Sequence, residues 1–302
     1  MATYEKYGKV TFSPTALTDK ETEYELRRHA DSTEILKELV EGTATELILP
    51  EGITKIGDYA FYRLTTLTKI MIPENVTQIG ESAFSSCYNL VEVVLPNSLV
   101  CINAGTFKQC QKLANIKFPN NLISIKSQAF QNCNQLTEVN LPSGLIDIAD
   151  FAFKQCEGIV EIVFPEGLTT IGSDAFVSCT NLKKVSLPTS LTSIGYTVFS
   201  GCTSLAECNI PSRLTSLPRT FQECTGLTEF IIPANVNTLS RTFAKCTGLI
   251  TVTFEGTPTT MSDTFYGCTQ AFDIYVPWSE GEVEGAPWGA TNATIHYNYT
   301  GE

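Results

Sequence analysis

Apolar residues recur along this chain on one beat. In MIPENVTQIGESAFSSCYNLVEV, Met71 to Val93, the apolar places are Ile72, Val76, Ile79, Ala83, Phe84, Cys87, Leu90 and Val93, with polar residues between them. The same spacing returns in VFPEGLTTIGSDAFVSCTNLKKV, from Val163 to Val185. Prolines keep the beat at Pro50, Pro73, Pro96, Pro119, Pro142, Pro165, Pro188 and Pro211, in steps of 23. Pro233 follows after 22 residues, Glu255 holds the next place, and Pro277 comes after it. Phenylalanines run in parallel from Phe61 to Phe199 in steps of 23, then to Phe221, Phe243 and Phe265 in steps of 22, and Trp288 stands at the next place.

This pattern predicts a shape. The V-x-I alternation before each proline is the period of a half-buried strand of about three residues. Proline has no N–H to give a central ladder, so it ends the strand each time. The next apolar pair, such as Val76 and Ile79, begins a return path, and Gly57, Gly80, Gly172 and Gly195 are expected to permit a sharp bend. A-F-x-x-C then fits a single helical turn with Phe and Cys inward. One such unit cannot bury its apolar edge alone, so units stack. The predicted fold class is an α/β solenoid: a right-handed superhelix with a continuous parallel sheet of short strands on one face, helical turns, and a cap at each end. At ~4.8 Å per strand, ten coils span roughly 50 Å.

The pattern L-x-x-V-x-[LI]-P-x-x-[LV]-x-x-I-G-x-x-A-F-x-x-C resembles the BspA-like, or Treponema pallidum-type, class of leucine-rich repeat. The Asn ladder of ordinary leucine-rich repeats is missing: that column reads Gly52, Asn75, Ser98, Asn121, Gly144, Gly167, Ser190, Arg213, Asn235 and Thr257. The expected organisation is an N-terminal cap over 1–43, ten repeats of 22–23 residues over 44–276, and a C-terminal cap over 277–302. In the first cap, Asp31 to Glu34 reads as a capping box ahead of Ile35, Leu36, Leu39 and Val40, with Gly42 as a stop, which predicts a short helix. In the last, Ala293 to Tyr299 is expected to add a final strand. From Phe199 on, each unit loses a residue at the bend, where Leu217-Pro218-Arg219-Thr220-Phe221 replaces I-G-x-x-A-F. A local change of curvature is the expected result, with a functional kink as the lesser alternative.

Composition narrows the function. The 302 residues are 43% apolar, enough for a core, and carry a net charge of −12. That charge argues against a nucleic-acid partner and against docking on anionic lipid. No apolar run approaches the ~20 residues of a membrane span. MATYEKYGKV has no apolar signal-peptide core, so an export signal, if the protein has one, is expected outside these residues. Nine of the 11 cysteines occupy the single F-x-x-C place, from Cys87 to Cys268; Cys208 replaces a core Val or Ile, and Cys101 falls at a polar place and is expected to be exposed. Their side chains point the same way, which suits buried free thiols rather than disulfides. Such a chain fits a reducing or anaerobic habitat. Zinc is not expected, because there is no C-x-x-C pair and His29 and His296 are remote from the ladder. No catalytic motif is present, and neither an enzyme activity nor a cofactor is expected.

The strand face offers more. Its outward positions form two columns, the first containing Glu92, Glu138, Glu161, Glu207, Glu229 and Asp273 against Lys69 and Lys184. The second mixes amides with Met71, Val94, Val163, Ile231 and Tyr275. An acidic stripe beside exposed apolar groups is a candidate protein-binding surface; a solvated sheet of good strand formers is the competing reading. The family resemblance implies a bacterial surface or secreted adhesion-type protein, outside the cell, binding host matrix or cell-surface proteins; the acidic stripe adds the expectation that such a partner presents a basic surface, and the chain is expected to be a monomer. The alternative is an assembly module of a larger surface or virion-associated complex.

Overall fold

The computed structural model describes residues 45–49 and 53–301, together with strands Val10–Phe12 and Thr22–Tyr24. The helix expected over Asp31–Gly42 lies outside the described residues. The chain makes about 11 turns of a parallel-strand β-solenoid and divides into two compact units, Met1–Ile159 and Val160–Glu302.

In the first unit the strands before each proline pair in parallel in the order Glu46–Ile48, Lys69–Met71, Glu92–Val94 and Asn115–Ile116, and the ladder thins to a single bridge, Asn115 to Glu138. A second set of short strands, unexpected from the sequence, lies on the return path: Ile53–Ile56 pairs with Gln78–Ile79, and Cys101–Ile102, Ser124–Ile125 and Asp147–Ile148 pair with one another. These strands are two to four residues long, too short to show a period. Val10–Phe12 pairs antiparallel with both Thr22–Tyr24 and Ile53–Ile56.

The second unit repeats the design with a dislocation. Glu161–Val163, Lys184–Ser186 and Glu207–Cys208 form one parallel ladder; Glu229–Ile232, Thr251–Phe254, Phe272–Tyr275 and Ala293–His296 form another. On the return path, Thr170–Ile171 with Ser193–Ile194 belongs to a different sheet from Ser216–Pro218, Thr238–Ser240 and Thr260–Ser262. Both ladders therefore stop against the coil running from Glu207 to Phe221, one on each side of it. This is the first coil of 22 residues, and the lost residue shifts its register against the coils of 23. Thr220 Oγ1 is buried there without a hydrogen-bond partner, whereas Thr242 donates to Leu217 O at 2.6 Å. The expected continuous sheet is thus interrupted.

No helical turn forms at A-F-x-x-C among the described residues. Along this side N–H groups alternate in direction. Ala60 donates to Gly57 O at 3.3 Å and Tyr62 to Tyr59 O at 3.0 Å, whereas Phe61 donates to Ala83 O at 2.7 Å and Arg63 to Ser85 O at 2.9 Å in the next coil. Tyr59 and Arg63 have φ of 56° and 59°, and left-handed residues four apart break any i to i−4 run. The side is a stack of tight turns in which half of the amides knit coils together. The bends are made by Tyr59, Ser82, Asp174 and Thr197, at φ between 52° and 56°, and not by the glycines beside them. Gly80 and Gly195 serve close approach instead: an added Cβ would meet Asp58 N and Ser173 N, each at 2.4 Å.

The core is columnar. Phe61, Phe84, Phe107, Phe130 and Phe153 stack in the first unit with centroids 5.0–5.4 Å apart. Phe176, Phe199, Phe221, Phe243 and Phe265 do so in the second at 5.7–6.1 Å. All ten are fully buried, and each contributes about 1.5–3 kcal/mol by its transfer from water.

Candidate protein-binding face

A strand that buries alternate residues must present the others outward, and the strands before each proline do so: Glu92, Val93 and Val94 run exposed, buried, exposed, as do Glu161, Ile162 and Val163. Parallel pairing without stagger turns these positions into columns, since Glu161 lies opposite Lys184 and Lys184 opposite Glu207.

In the first unit Met71, Val94, Glu92 and Glu138 are exposed. Glu92 is not a free acid: Lys69 Nζ lies 2.9 Å from its carboxylate, and that hydrogen bond holds the Lys69 ammonium above its ordinary pKa. In the second unit Glu161, Glu207 and Glu229 are exposed, and Val163 and Ile231 are 68% and 61% exposed. Lys184 pairs with Glu207 at 2.8 Å, which raises the Lys184 pKa, and Glu161 adds to that shift. Lys69 and Lys184 thus neutralise part of the acidic column.

Asp273 and Tyr275 are half-buried rather than open. The cause is His296, which the sequence reading considered only as remote from the cysteine ladder. Parallel pairing of Phe272–Tyr275 with Ala293–His296 sets His296 opposite Tyr275, its ring stacked at 4.4 Å and its Nε2 2.8 Å from Asp273 Oδ1. Tyr299 also packs against Tyr275, with centroids 4.7 Å apart. Another feature absent from the sequence reading is an exposed apolar stripe beside the return-path strands, formed by Val100, Ile123 and Ile146. Its signal was an apolar residue directly after a core leucine (Leu99, Leu122, Leu145), where alternation calls for a polar one.

All 11 cysteines are free. The ladder thiols do more than fill space: Cys133 Sγ donates to Phe107 O at 3.2 Å and Cys156 Sγ to Phe130 O at 3.0 Å, each bridging two coils. Burial pushes the Cys87 thiol up to about 12 and Cys268 up to about 11. Cys101 is half-buried rather than exposed, and Cys208, expected in the core, is half-exposed. Burial raises the pKa of both. Among the described residues no group of three His, Cys, Asp or Glu could hold a metal, and no helix is long and apolar enough to cross a membrane.

A solved leucine-rich repeat protein from Bacteroides ovatus is similar over 93% of this chain and 90% of its own, with TM-score 0.62 and 22% identity. The pneumococcal vaccine antigen PcpA is similar over 83% and 79%, with TM-score 0.52 and 19% identity. The Treponema pallidum leucine-rich repeat protein covers 61% and 78%, with TM-score 0.44 and 25% identity. No curated protein sequence matches significantly. The BspA type leucine-rich repeat profile, in 6 copies, matches residues 40–160 and 146–272, and with coils of that form throughout the described residues the chain belongs to the BspA-type leucine-rich repeat family.

Proposed function

We propose that this chain is a non-catalytic protein-binding scaffold of the bacterial surface or its surroundings, and that the strand face carries the binding. Leucine-rich repeat proteins are generally non-catalytic scaffolds. The observation that carries the reading is the second unit's face, where Val163 and Ile231 stand in water beside Glu161, Glu207 and Glu229. Apolar contact area beside a column that stays net acidic after Lys184 offsets Glu207 favours a partner with a basic surface around an apolar patch, such as a host matrix or cell-surface protein.

The test is capture of basic matrix proteins by immobilised chain at rising salt. Association should weaken as salt rises. Reversing Glu161, Glu207 and Glu229 to Lys together should remove the binding with the fold intact, as all three side chains are exposed. Reversing Asp174, Glu280 and Glu284 alters net charge equally and should leave most of it. Equal loss from the two triples would reduce the effect to net charge and overturn the assignment to the face.

A further inference from the structure

Several departures from the repeat converge on an open groove in the second unit. Between Glu207–Cys208 and Glu229–Ile232 the parallel ladder is missing. On its other side this coil stays tied to the preceding one, where the Asn209 side chain extends the ladder with Lys184–Ser186 by accepting from Leu187 N–H and donating to Leu187 O, each at 2.8 Å. Cys208 occupies a place filled by Val185 and Phe230 in the neighbouring coils; they are 2% and 5% exposed, whereas Cys208 and Ile210 are half-exposed. The gap opens a cleft of about 880 Å³, floored by Cys208 and Ile210 and edged by Glu207, Glu229 and Glu255, within the range of functional ligand sites. A second hollow of about 760 Å³ adjoins it and shares Ile231 and Glu255. Glu255 stands where the repeat has proline, so a carboxylate replaces a residue that bears no charge. Of the three edge acids, Glu207 is held by Lys184, whereas no ion pair to Glu229 or Glu255 is seen among the described residues.

We propose that this groove takes an extended polypeptide segment in which basic and apolar residues alternate. A strand places successive side chains on opposite sides, so such a segment lays an apolar row on Cys208 and Ile210 and turns lysines or arginines toward Glu229 and Glu255. The unpaired edge of Glu207–Cys208 offers the main-chain groups that strand addition uses. This rests on the strand-face reading above and deepens it: the groove is the part of the face that reads the partner's sequence.

The probe is an acetylated, amidated Lys-Val-Lys-Val-Lys-Val peptide, with Glu-Val-Glu-Val-Glu-Val and Lys-Lys-Lys-Val-Val-Val as controls, titrated against the full chain by calorimetry at about 0.15 M salt. The alternating basic peptide should bind and both controls should not. Glu229→Gln with Glu255→Gln should raise its Kd about tenfold, as expected for losing two partly exposed charge pairs. Glu280→Gln with Glu284→Gln, outside the groove and the strand face, should change it less than about twofold. Saturating peptide should slow alkylation of Cys208 while leaving Cys101 unchanged. Failure of the peptide to bind, equal weakening by both double variants, equal binding by spermidine, or unprotected Cys208 would each overturn the groove. If the charge-reversal triple still abolishes matrix-protein capture in those cases, the strand face stands without it.

Discussion

The two sides of each coil obey different rules. On the turn side of the second unit, amides knit coils together straight past the dislocation: Thr197 donates to Pro218 O at 3.2 Å, Phe199 to Thr220 O at 3.0 Å and Gly201 to Gln222 O at 2.8 Å. On the strand side the ladder stops between Cys208 and Glu229. The turn side tolerates the shorter coil because the local turn and the stacked ring at Phe221 both sit beyond the deleted residue. The strand side absorbs the mismatch by opening. A solenoid can thus hold its length on one side while it exposes core on the other.

The largest way to break this contrast is to attack the constant side. Phe130→Ala removes a fully buried ring stacked between Phe107 and Phe153, and denaturant unfolding should show a loss of roughly 3–5 kcal/mol. Lys117→Ala on the exposed strand side should cost under about 0.5 kcal/mol. Comparable losses would mean that the sides are not distinct.

A middle-sized effect tests how tightly coils approach. Gly195→Ala puts a Cβ 2.4 Å from Ser173 N, a backbone atom that cannot swing away, and should cost about 1–3 kcal/mol through overpacking. At Gly144 the nearest atoms to an added Cβ are carbonyl oxygens 3.8 and 3.9 Å away, so Gly144→Ala should be neutral or stabilise by up to about 1 kcal/mol. A loss at Gly144 equal to that at Gly195 would remove the close-approach argument.

The gentlest probe leaves the fold alone. Thiol titration should find 11 reactive groups in denaturant and, in the native protein at pH 8, slow reaction at Cys101 and Cys208 alone, the two that are not buried. Ladder thiols, with Cys87 pushed up to about 12 and Cys268 up to about 11, stay protonated there. Their raised values also set a sign: the stability they contribute is complete below the ordinary value of 9.0 and is lost as pH climbs toward about 12. Native reaction at Cys133, or a melting temperature flat from pH 9 to 11, would contradict the burial.

The sequence by itself determined the repeat, the inward Phe and Cys columns, the strand before most of the prolines and the outward columns, because each follows from period, from proline's missing N–H, or from a side chain that must be buried. It also marked the unusual coil, through the step from Phe199 to Phe221 and through Glu255 in a proline place. Only the tertiary structure decided the rest. The A-F-x-x-C segment reads as a helical turn until the next coil claims every second amide, a choice made between coils and invisible within one. The acids of the strand face look alike in sequence, yet Lys69 and Lys184 reach Glu92 and Glu207, and His296 reaches Asp273. Those pairings join residues 23 apart, so they depend on register, and register is set by how whole coils stack.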